Sequence, residues 1–374
     1  MTPRRDVVVA GGGTGGHVLV ALAVARALVA RGHDTKAIEM MGSRRGQEAA
    51  LLATEGFPLT LLPGRGIARR LSPGALVDNA GAAAGLLWAS ASAVARMARR
   101  RPKVVVSVGG YASFPAAVAA VVLRIPLVLV NVDAVPGLVH RVLGRFAAAA
   151  AVAFPGTPLP RAVVTGAPVR DELASLERSA QRAAAARTAL GLPAGRGCVG
   201  VFGGSLGAGS VNRAAVDLAT RWAGRTDRAL YHVTGRRDWA SMSGLGHDGG
   251  AGLAWRLVPF EPRMDLLYQA ADVVVCRAGA ITVAELAVAG VPAVLVPLPG
   301  APGDHQTANA AALVAAGAGV LVADADCDGE RLAAVLDDLL EDPDRLGAMA
   351  AAARSVGRPD AAAAVAEVVD AHAR

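Results

Sequence analysis

Two glycine-rich turns of the same build, about half the chain apart, constrain this 374-residue chain more than any other feature. The first runs Asp6-Val-Val-Val-Ala-Gly-Gly-Gly-Thr-Gly-Gly-His17, the second Cys198-Val-Gly-Val-Phe-Gly-Gly-Ser-Leu-Gly-Ala-Gly209. Each is an apolar run of strand length, then glycines, then a helical pattern. Glycine lets backbone N–H groups approach a phosphate, and the helix start adds partial positive charge. Two such turns predict an α/β chain of two doubly wound domains facing each other across a cleft. One cleft with two phosphate cradles suits an enzyme that handles a nucleotide and a second anionic substrate.

The remaining pattern agrees. Strands are expected at Asp6–Ala10, Lys36–Met40, Leu59–Leu62, Val104–Val108, Leu127–Val130 and Ala149–Ala153. A second set follows at Cys198–Phe202, Leu230–Val233, Leu257–Phe260, Val273–Cys276, Ala293–Val296 and Val320–Val322. Helical periodicity separates them, which is the signature of parallel sheets with helices on both faces. The pattern restarts after Arg170 through a charged, alanine-rich stretch. Domains are therefore drawn at residues 1–168 and 169–356, with residues 357–374 as a last helix. Apolar residues make up 53% and aromatics 3%, so the cores must be closely packed Ala, Val and Leu.

The net charge of +7 favours anionic partners. Phosphorylated substrates and anionic lipid fit better than nucleic acid, because no basic run carries interleaved aromatics. Cys198, Cys276 and Cys327 are odd in number and far apart, without zinc spacing, which fits a reducing cytoplasm. Cys198 and Cys276 lie in apolar strand runs and read as buried thiols. No secretory pattern is visible, and no segment reaches the roughly 20 apolar residues of a membrane span. A soluble or peripheral protein is expected. In Pro63–Lys103, Arg65, Arg69 and Arg70 precede Leu86, Leu87 and Trp88; Arg96, Arg99, Arg100, Arg101 and Lys103 follow. Two readings fit: a membrane-surface element, or a crossover helix packed on the sheet with a solvated basic end.

Gly11 to Gly16 also satisfies the dinucleotide fingerprint G-x-G-x-x-G. Glu39, near the end of the second strand, stands where a dehydrogenase holds its ribose. An NAD-dependent oxidoreductase therefore competes. His17 points elsewhere: at a helix start an imidazole stays near neutral and can take a proton from a bound hydroxyl. Otherwise it merely caps the helix. In Val108-Gly-Gly-Tyr-Ala-Ser-Phe-Pro115, Ser113 and backbone N–H groups could hold a diphosphate, or the glycines serve a tight connection. In Cys276-Arg-Ala-Gly-Ala-Ile-Thr-Val-Ala-Glu285, the turn Ala278-Gly-Ala280 presents amides, Thr282 adds a hydroxyl, and Glu285 suits two ribose hydroxyls. The bland alternative for Glu285 is a carboxylate favoured by the helix dipole. After the next strand, Gln306 could bond sugar hydroxyls, while Asp304 reads as a helix cap.

At these residues the chain resembles the MurG family, the UDP-N-acetylglucosamine transferases of bacterial peptidoglycan synthesis. The matching segments are Gly12-Gly-Thr-Gly-Gly-His-Val18, Gly109-Gly-Tyr-Ala-Ser113, Val135-Pro-Gly-Leu138, Gly166-Ala-Pro-Val-Arg170, Gly203-Gly-Ser-Leu-Gly-Ala208, Cys276 to Glu285 and Gln306-Thr-Ala-Asn-Ala310. They span nearly the whole chain in the family's order. The resemblance implies a GT-B fold of two Rossmann-like domains, the last helix returning to the first. It implies inverting transfer of GlcNAc from UDP-GlcNAc to the 4-hydroxyl of MurNAc in undecaprenyl-linked lipid I, giving lipid II. It places Thr14, Gly15, Gly16, Asp133, Arg170, Ser205, Ala280, Ile281, Thr282, Glu285 and Gln306 at the donor. Gly13, Gly110, Tyr111 and Ser113 fall to the acceptor. His17 is the expected general base, with Asp133 as the second candidate.

The resemblance also implies no bound cofactor or metal, Mg2+ at most stimulating without being required. It implies a peripheral enzyme on the cytoplasmic face of the cell membrane. Its partners are then anionic lipid and other cell-wall synthesis proteins, not nucleic acid. Two departures stand out. Val130-Asn-Val-Asp133 replaces the family's His-Glu-Gln-Asn, and Leu19-Val20 replaces an aromatic-Pro pair. They leave room for a related lipid-sugar transferase with another acceptor, such as diacylglycerol. A non-catalytic nucleotide-sugar-binding protein is a further alternative, against which His17 argues.

Overall fold

A computed structural model describes residues 6–13, 15–44, 48–63, 73–204, 207–246 and 252–374. Thr14, Arg65, Arg69, Arg70 and Ser205 lie outside the described residues. The chain divides into two compact units. One comprises Met1–Arg170 with Asp360–Arg374, the other Asp171–Pro359.

The first unit is built on strands β1 (Val7–Ala10), β2 (Ile38–Ser43), β3 (Leu59–Leu62), β4 (Val104–Ser107), β5 (Leu127–Asn131), β6 (Ala149–Val152) and β7 (Ala162–Val164). They form one sheet in the order β3-β2-β1-β4-β5-β6-β7, every pair parallel. The second unit carries β8 (Gly197–Phe202), β9 (Arg228–Val233), β10 (Ala254–Val258), β11 (Val273–Cys276), β12 (Ala293–Leu295) and β13 (Gly319–Leu321). Its order is β10-β9-β8-β11-β12-β13, again all parallel. In each sheet the order reverses beside the glycine-bearing strand, at β1/β4 and β8/β11. Ligands of open α/β sheets bind outside the carboxyl ends of strands at such points.

The helices of the first unit are α1 (Gly15–Ala30), α2 (Glu48–Leu52), α3 (Pro73–Arg100), α4 (Phe114–Leu123) and α5 (Leu138–Leu143). The second unit has α6 (Asp171–Ala174), α7 (Ala180–Ala189), α8 (Gly209–Arg221), α9 (Trp239–Met242), α10 (Met264–Ala270), α11 (Ala280–Ala289), α12 (His305–Ala315), α13 (Gly329–Leu340) and α14 (Pro343–Val356). The last helix, α15 (Ala361–His372), belongs to the first unit and packs on α1. Asp370 of α15 accepts from Arg31 Nε at 2.6 Å and meets His33 Nε2 at 2.8 Å.

Both sheets are covered on two faces, so their strands are apolar runs rather than alternations. All four residues of β1 are buried, and Val8, Val105, Leu127 and Leu129 meet alanines of α3 and α4. Val199, Val201, Leu218, Trp222, Leu230 and Leu336 do the same work in the second unit. The three cysteines are buried and unbridged.

Several elements depart from the sequence reading; β2, for one, runs Ile38–Ser43 rather than Lys36–Met40. β10 begins at Ala254 rather than Leu257, because Ala254 and Trp255 are buried while Arg256 points outward at the sheet edge. β7 is a three-residue edge strand, Ala162-Val-Val164, whose apolar run is too short to stand out and is exposed. Helix α14 was not expected; Asp342 caps it by accepting from Arg345 N at 2.9 Å.

Glu39 is the main correction. It is 2% exposed and walled in. Arg96 Nε donates to it at 2.6 Å, Thr60 Oγ1 at 2.6 Å, and Arg100 lies 3.5 Å away. This carboxylate locks α3 onto β2 and β3 and is not open to a ribose. By the same bonds Arg96 and Arg100 turn inward, so only part of the basic stretch is solvated; Arg99 and Arg101 are exposed. On α3, Leu86 is half-buried, whereas Leu87 and Trp88 are 72% and 68% exposed. Among the described residues no helix is long and apolar enough to cross a membrane.

Candidate active site

The first unit brings its two glycine turns together at the carboxyl edges of β1 and β4. Gly12 has φ +146° and Gly110 φ +72°, and a Cβ on Gly110 would lie 2.8 Å from the Gly12 carbonyl. A Cβ on Gly13 would lie 2.6 Å from the Tyr111 ring. The turns therefore interlock, and only glycine fits at the junction. Tyr111, half-buried, donates its hydroxyl to Ser43 Oγ at 3.3 Å. Ser113 is buried, and its hydroxyl closes the turn onto the Gly110 carbonyl at 3.0 Å. Its role here is to shape the loop.

Two residues that the sequence reading passed over complete this site. Glu48, fully buried at the start of α2, accepts from Gly13 N at 3.1 Å and from Ser43 N at 2.9 Å. The Gly13 amide is thus already engaged. His140 of α5 is buried and shares the surroundings of Gly109 with His17. A Cβ on Gly109 would lie 3.3 Å from His140 Cε1 and 3.4 Å from His17 Nε2. No sequence motif marks either residue; each lies on a short helix whose place depends on tertiary packing.

His17 is half-buried in the first turn of α1. Burial lowers its pKa, and the Asp133 carboxylate opposes that shift. A neutral imidazole at the edge of an open turn can accept a proton. Asp133, two residues beyond β5, is half-buried. Gly15 and Gly16 open α1, where the first amides have no helix carbonyl to meet. Arg170 is half-buried at the end of the first unit.

The second unit has its own cradle. Gly204 and Gly207, with φ +89° and +84°, turn the chain from β8 into α8. Arg277 fastens this region: it donates to the Val296 and Pro297 carbonyls at 3.1 Å each and to Ser210 Oγ at 2.8 Å, and it meets Asp324 at 2.6 Å. Beside it, Gly279 caps α11. Ala280 is buried; Ile281 and Thr282 are half-buried on the opening turn of α11. Asn309 of α12 holds the preceding turn through the Ala278 carbonyl at 3.2 Å. Glu285 is 6% exposed and accepts from the Tyr268 hydroxyl at 2.9 Å. Gln306 Oε1 accepts from Leu298 N at 2.9 Å, which orients the side chain and leaves its NH2 to donate to a sugar hydroxyl.

Comparison with known proteins bears on both cradles. Residues 7–152 match the glycosyltransferase family 28 N-terminal domain, and residues 198–365 the glycosyltransferase family 28 C-terminal domain. A relative from Alkalilimnicola ehrlichii is 42% identical over 97% of each chain. Its name is UDP-N-acetylglucosamine–N-acetylmuramyl-(pentapeptide) pyrophosphoryl-undecaprenol N-acetylglucosamine transferase. A relative of the same name from Acidothermus cellulolyticus is 41% identical, also over 97% of each chain. Among solved structures, MurG of Acinetobacter baumannii superposes with a TM-score of 0.74 at 30% identity, over 98% of this chain and 99% of that one. A UDP-GlcNAc 2-epimerase from Neisseria meningitidis shares the fold alone: TM-score 0.67 at 14% identity, over 98% and 99%.

Proposed function

This chain belongs to glycosyltransferase family 28, and from that premise we propose that it transfers N-acetylglucosamine from UDP-N-acetylglucosamine to an undecaprenyl-pyrophosphoryl N-acetylmuramyl-pentapeptide. The acceptor is the MurNAc 4-hydroxyl of lipid I, and the product is lipid II. The observation that carries this reading is full-length likeness, 42% identity over 97% of both chains, to a transferase named for that reaction.

The chemistry follows from the two cradles. His17 takes the proton of the acceptor hydroxyl while that oxygen bonds to the anomeric carbon from the face opposite UDP, so the configuration inverts. The bond to the UDP oxygen breaks, and the charge leaves towards the amides at the start of α11. No protein-held metal is needed for that stabilisation. Glu285 reads the ribose, and Gln306 with Thr282 reads the sugar and diphosphate. By likeness, Thr14 and Ser205 join the donor site. With the Gly13 amide engaged by Glu48, the Gly110 turn is left to meet the lipid pyrophosphate, while Gly15 and Gly16 serve the donor.

A polyprenyl-linked acceptor stays in the bilayer, so the enzyme must reach the membrane. Leu87 and Trp88 on α3, and Leu138, Val142 and Phe146 along and after α5, are exposed apolar side chains. Exposed Arg99, Arg101, Arg141 and Arg145 accompany them. That composition suits the interface of an anionic leaflet, the cytoplasmic one for an enzyme that uses a nucleotide sugar. The dehydrogenase alternative loses its ribose acid, because Glu39 is walled in by Arg96, Arg100 and Thr60. Ligand-induced melting tests the donor half. UDP-N-acetylglucosamine should raise the melting temperature and NAD(H) should not; the reverse would defeat the proposal.

A further inference from the structure

Tyr268 is the largest fully buried side chain among the described residues. It lies on α10, where Leu267 and Ala270 are buried too. A phenylalanine would fill the same space, so the hydroxyl costs stability unless it finds a partner. The ring joins two parts of the second cradle. It meets Phe202 edge to face, with ring centroids 6.0 Å apart and 60° between the planes. Phe202 ends β8 directly before the Gly203-Gly204 turn. At the far end of the ring, the hydroxyl donates to Glu285 Oε2 at 2.9 Å. Glu285 is itself 6% exposed, on α11 one turn beyond Thr282. Helix α10 is pressed onto β8 at Gly200, where a Cβ would lie 3.0 Å from Leu267 Cδ1, so the ring stands on a fixed base.

A carboxylate has about four acceptor positions on its two oxygens, and rotation about its last bond redirects all of them together. That torsion is soft, so a glutamate does not hold the angle unaided. A donor at Oε2 does hold it, setting the carboxylate plane against a ring that packing keeps in place. The other acceptor positions then point one way before a ligand arrives, and a pair of ribose hydroxyls meets a preorganised acceptor. Losing that order weakens only ligands that use the carboxylate. Plain core packing, by contrast, supports every ligand of the unit alike.

We propose that Tyr268 is the positioning residue of the donor ribose site: by holding Glu285 Oε2 it makes the second unit select a ribonucleoside diphosphate over its 2′-deoxy counterpart. This rests on the transfer reading above, in which Glu285 reads the ribose. Tyr268, fully buried, acts through Glu285 and not on the substrate.

The test is calorimetric titration of the full chain with UDP and with 2′-deoxy-UDP. The parent should bind UDP about tenfold more tightly than 2′-deoxy-UDP. Tyr268→Phe keeps the ring and its Phe202 contact and removes only the hydroxyl. UDP affinity should fall about three- to tenfold and 2′-deoxy-UDP affinity by less, so the preference shrinks. Both ligands titrate the same sample, so a misfolded fraction lowers the stoichiometry and not the ratio. Glu285→Ala should abolish the preference, and adding Tyr268→Phe to it should change neither affinity further. An unaltered preference in Tyr268→Phe, equal loss for both ligands, or a parent that binds both alike overturns the inference; transfer to lipid I by that parent would still leave the acceptor reading standing. A shrunken preference without any transfer to lipid I upholds the inference and sinks the acceptor reading instead.

Discussion

Removing Glu48 should loosen the first glycine turn while leaving the donor domain untouched. Glu48→Ala deletes the acceptor of the Ser43 and Gly13 amides. Ser43 is buried, so its N–H loses its partner with no water to replace it, costing about 1–3 kcal/mol. Gly13 is half-buried, so water can recover most of its bond, and its share is at most about 1 kcal/mol. The one lost methylene adds about 0.8 kcal/mol. Against this, the variant no longer buries a carboxylate whose Oε2 has no hydrogen-bond partner among the described residues. The net expectation is a loss of about 2–4 kcal/mol, confined to one unit. Glu48→Gln keeps the acceptor and should cost less than about 1.5 kcal/mol. Hydrogen exchange read by mass spectrometry checks this, with Asp171–Pro359 as internal control. Peptides covering β1, the first turn and β2 should lose protection in Glu48→Ala. Transfer should fall through a raised acceptor KM, with donor KM unchanged. Unchanged protection across β1 and β2, or equal loss in both units, would refute the reasoning.

Three further outcomes follow from the same structure. Glu285→Ala should weaken UDP-N-acetylglucosamine binding by roughly 1–3 kcal/mol, the scale for hydrogen bonds to a charged group; unchanged affinity in calorimetry would remove Glu285 from the site. His140 and His232 are buried and held neutral near pKa 4, against about 6.5 in the unfolded chain. Their contribution is complete above about pH 6.5 and is lost as pH falls towards 4, by up to about 3 kcal/mol each. Melting temperatures taken across that window should drop; a flat profile contradicts the burial of both rings. Leu87→Ser with Trp88→Ser should cut co-sedimentation with anionic vesicles at least about tenfold without changing the melting temperature. Equal pelleting of variant and parent would place the membrane contact elsewhere.

The fold was legible because its signals are local. A glycine turn between an apolar run and a helix states strand, phosphate turn and helix within a dozen residues, and it occurs twice. The exposed edge strand β7 and the shifted β10 were not legible, since neither buries a continuous apolar run. Within the candidate site, His17, Tyr111, Glu285 and Gln306 stand out in the sequence because each follows a glycine or proline turn. Glu48 and His140 could not. Their meaning comes from partners 35 and 33 residues away, Gly13 and Ser107, and local sequence carries no trace of such contacts. Glu39 shows the opposite failure. Its position on β2 matched a ribose acid, but Arg96, 57 residues on, had already claimed it.

The most direct measurement is transfer of radiolabel from UDP-N-acetylglucosamine to a lipid I analogue, with the linkage of the product read by NMR. Label should enter the lipid phase through a β-1,4 bond, and UDP should appear in equal amount. His17→Ala should lower turnover by about 10²–10⁴-fold with donor affinity largely kept. Tight binding of UDP-N-acetylglucosamine with no label reaching lipid I, or near-parental turnover by His17→Ala at saturating acceptor, would contradict the account.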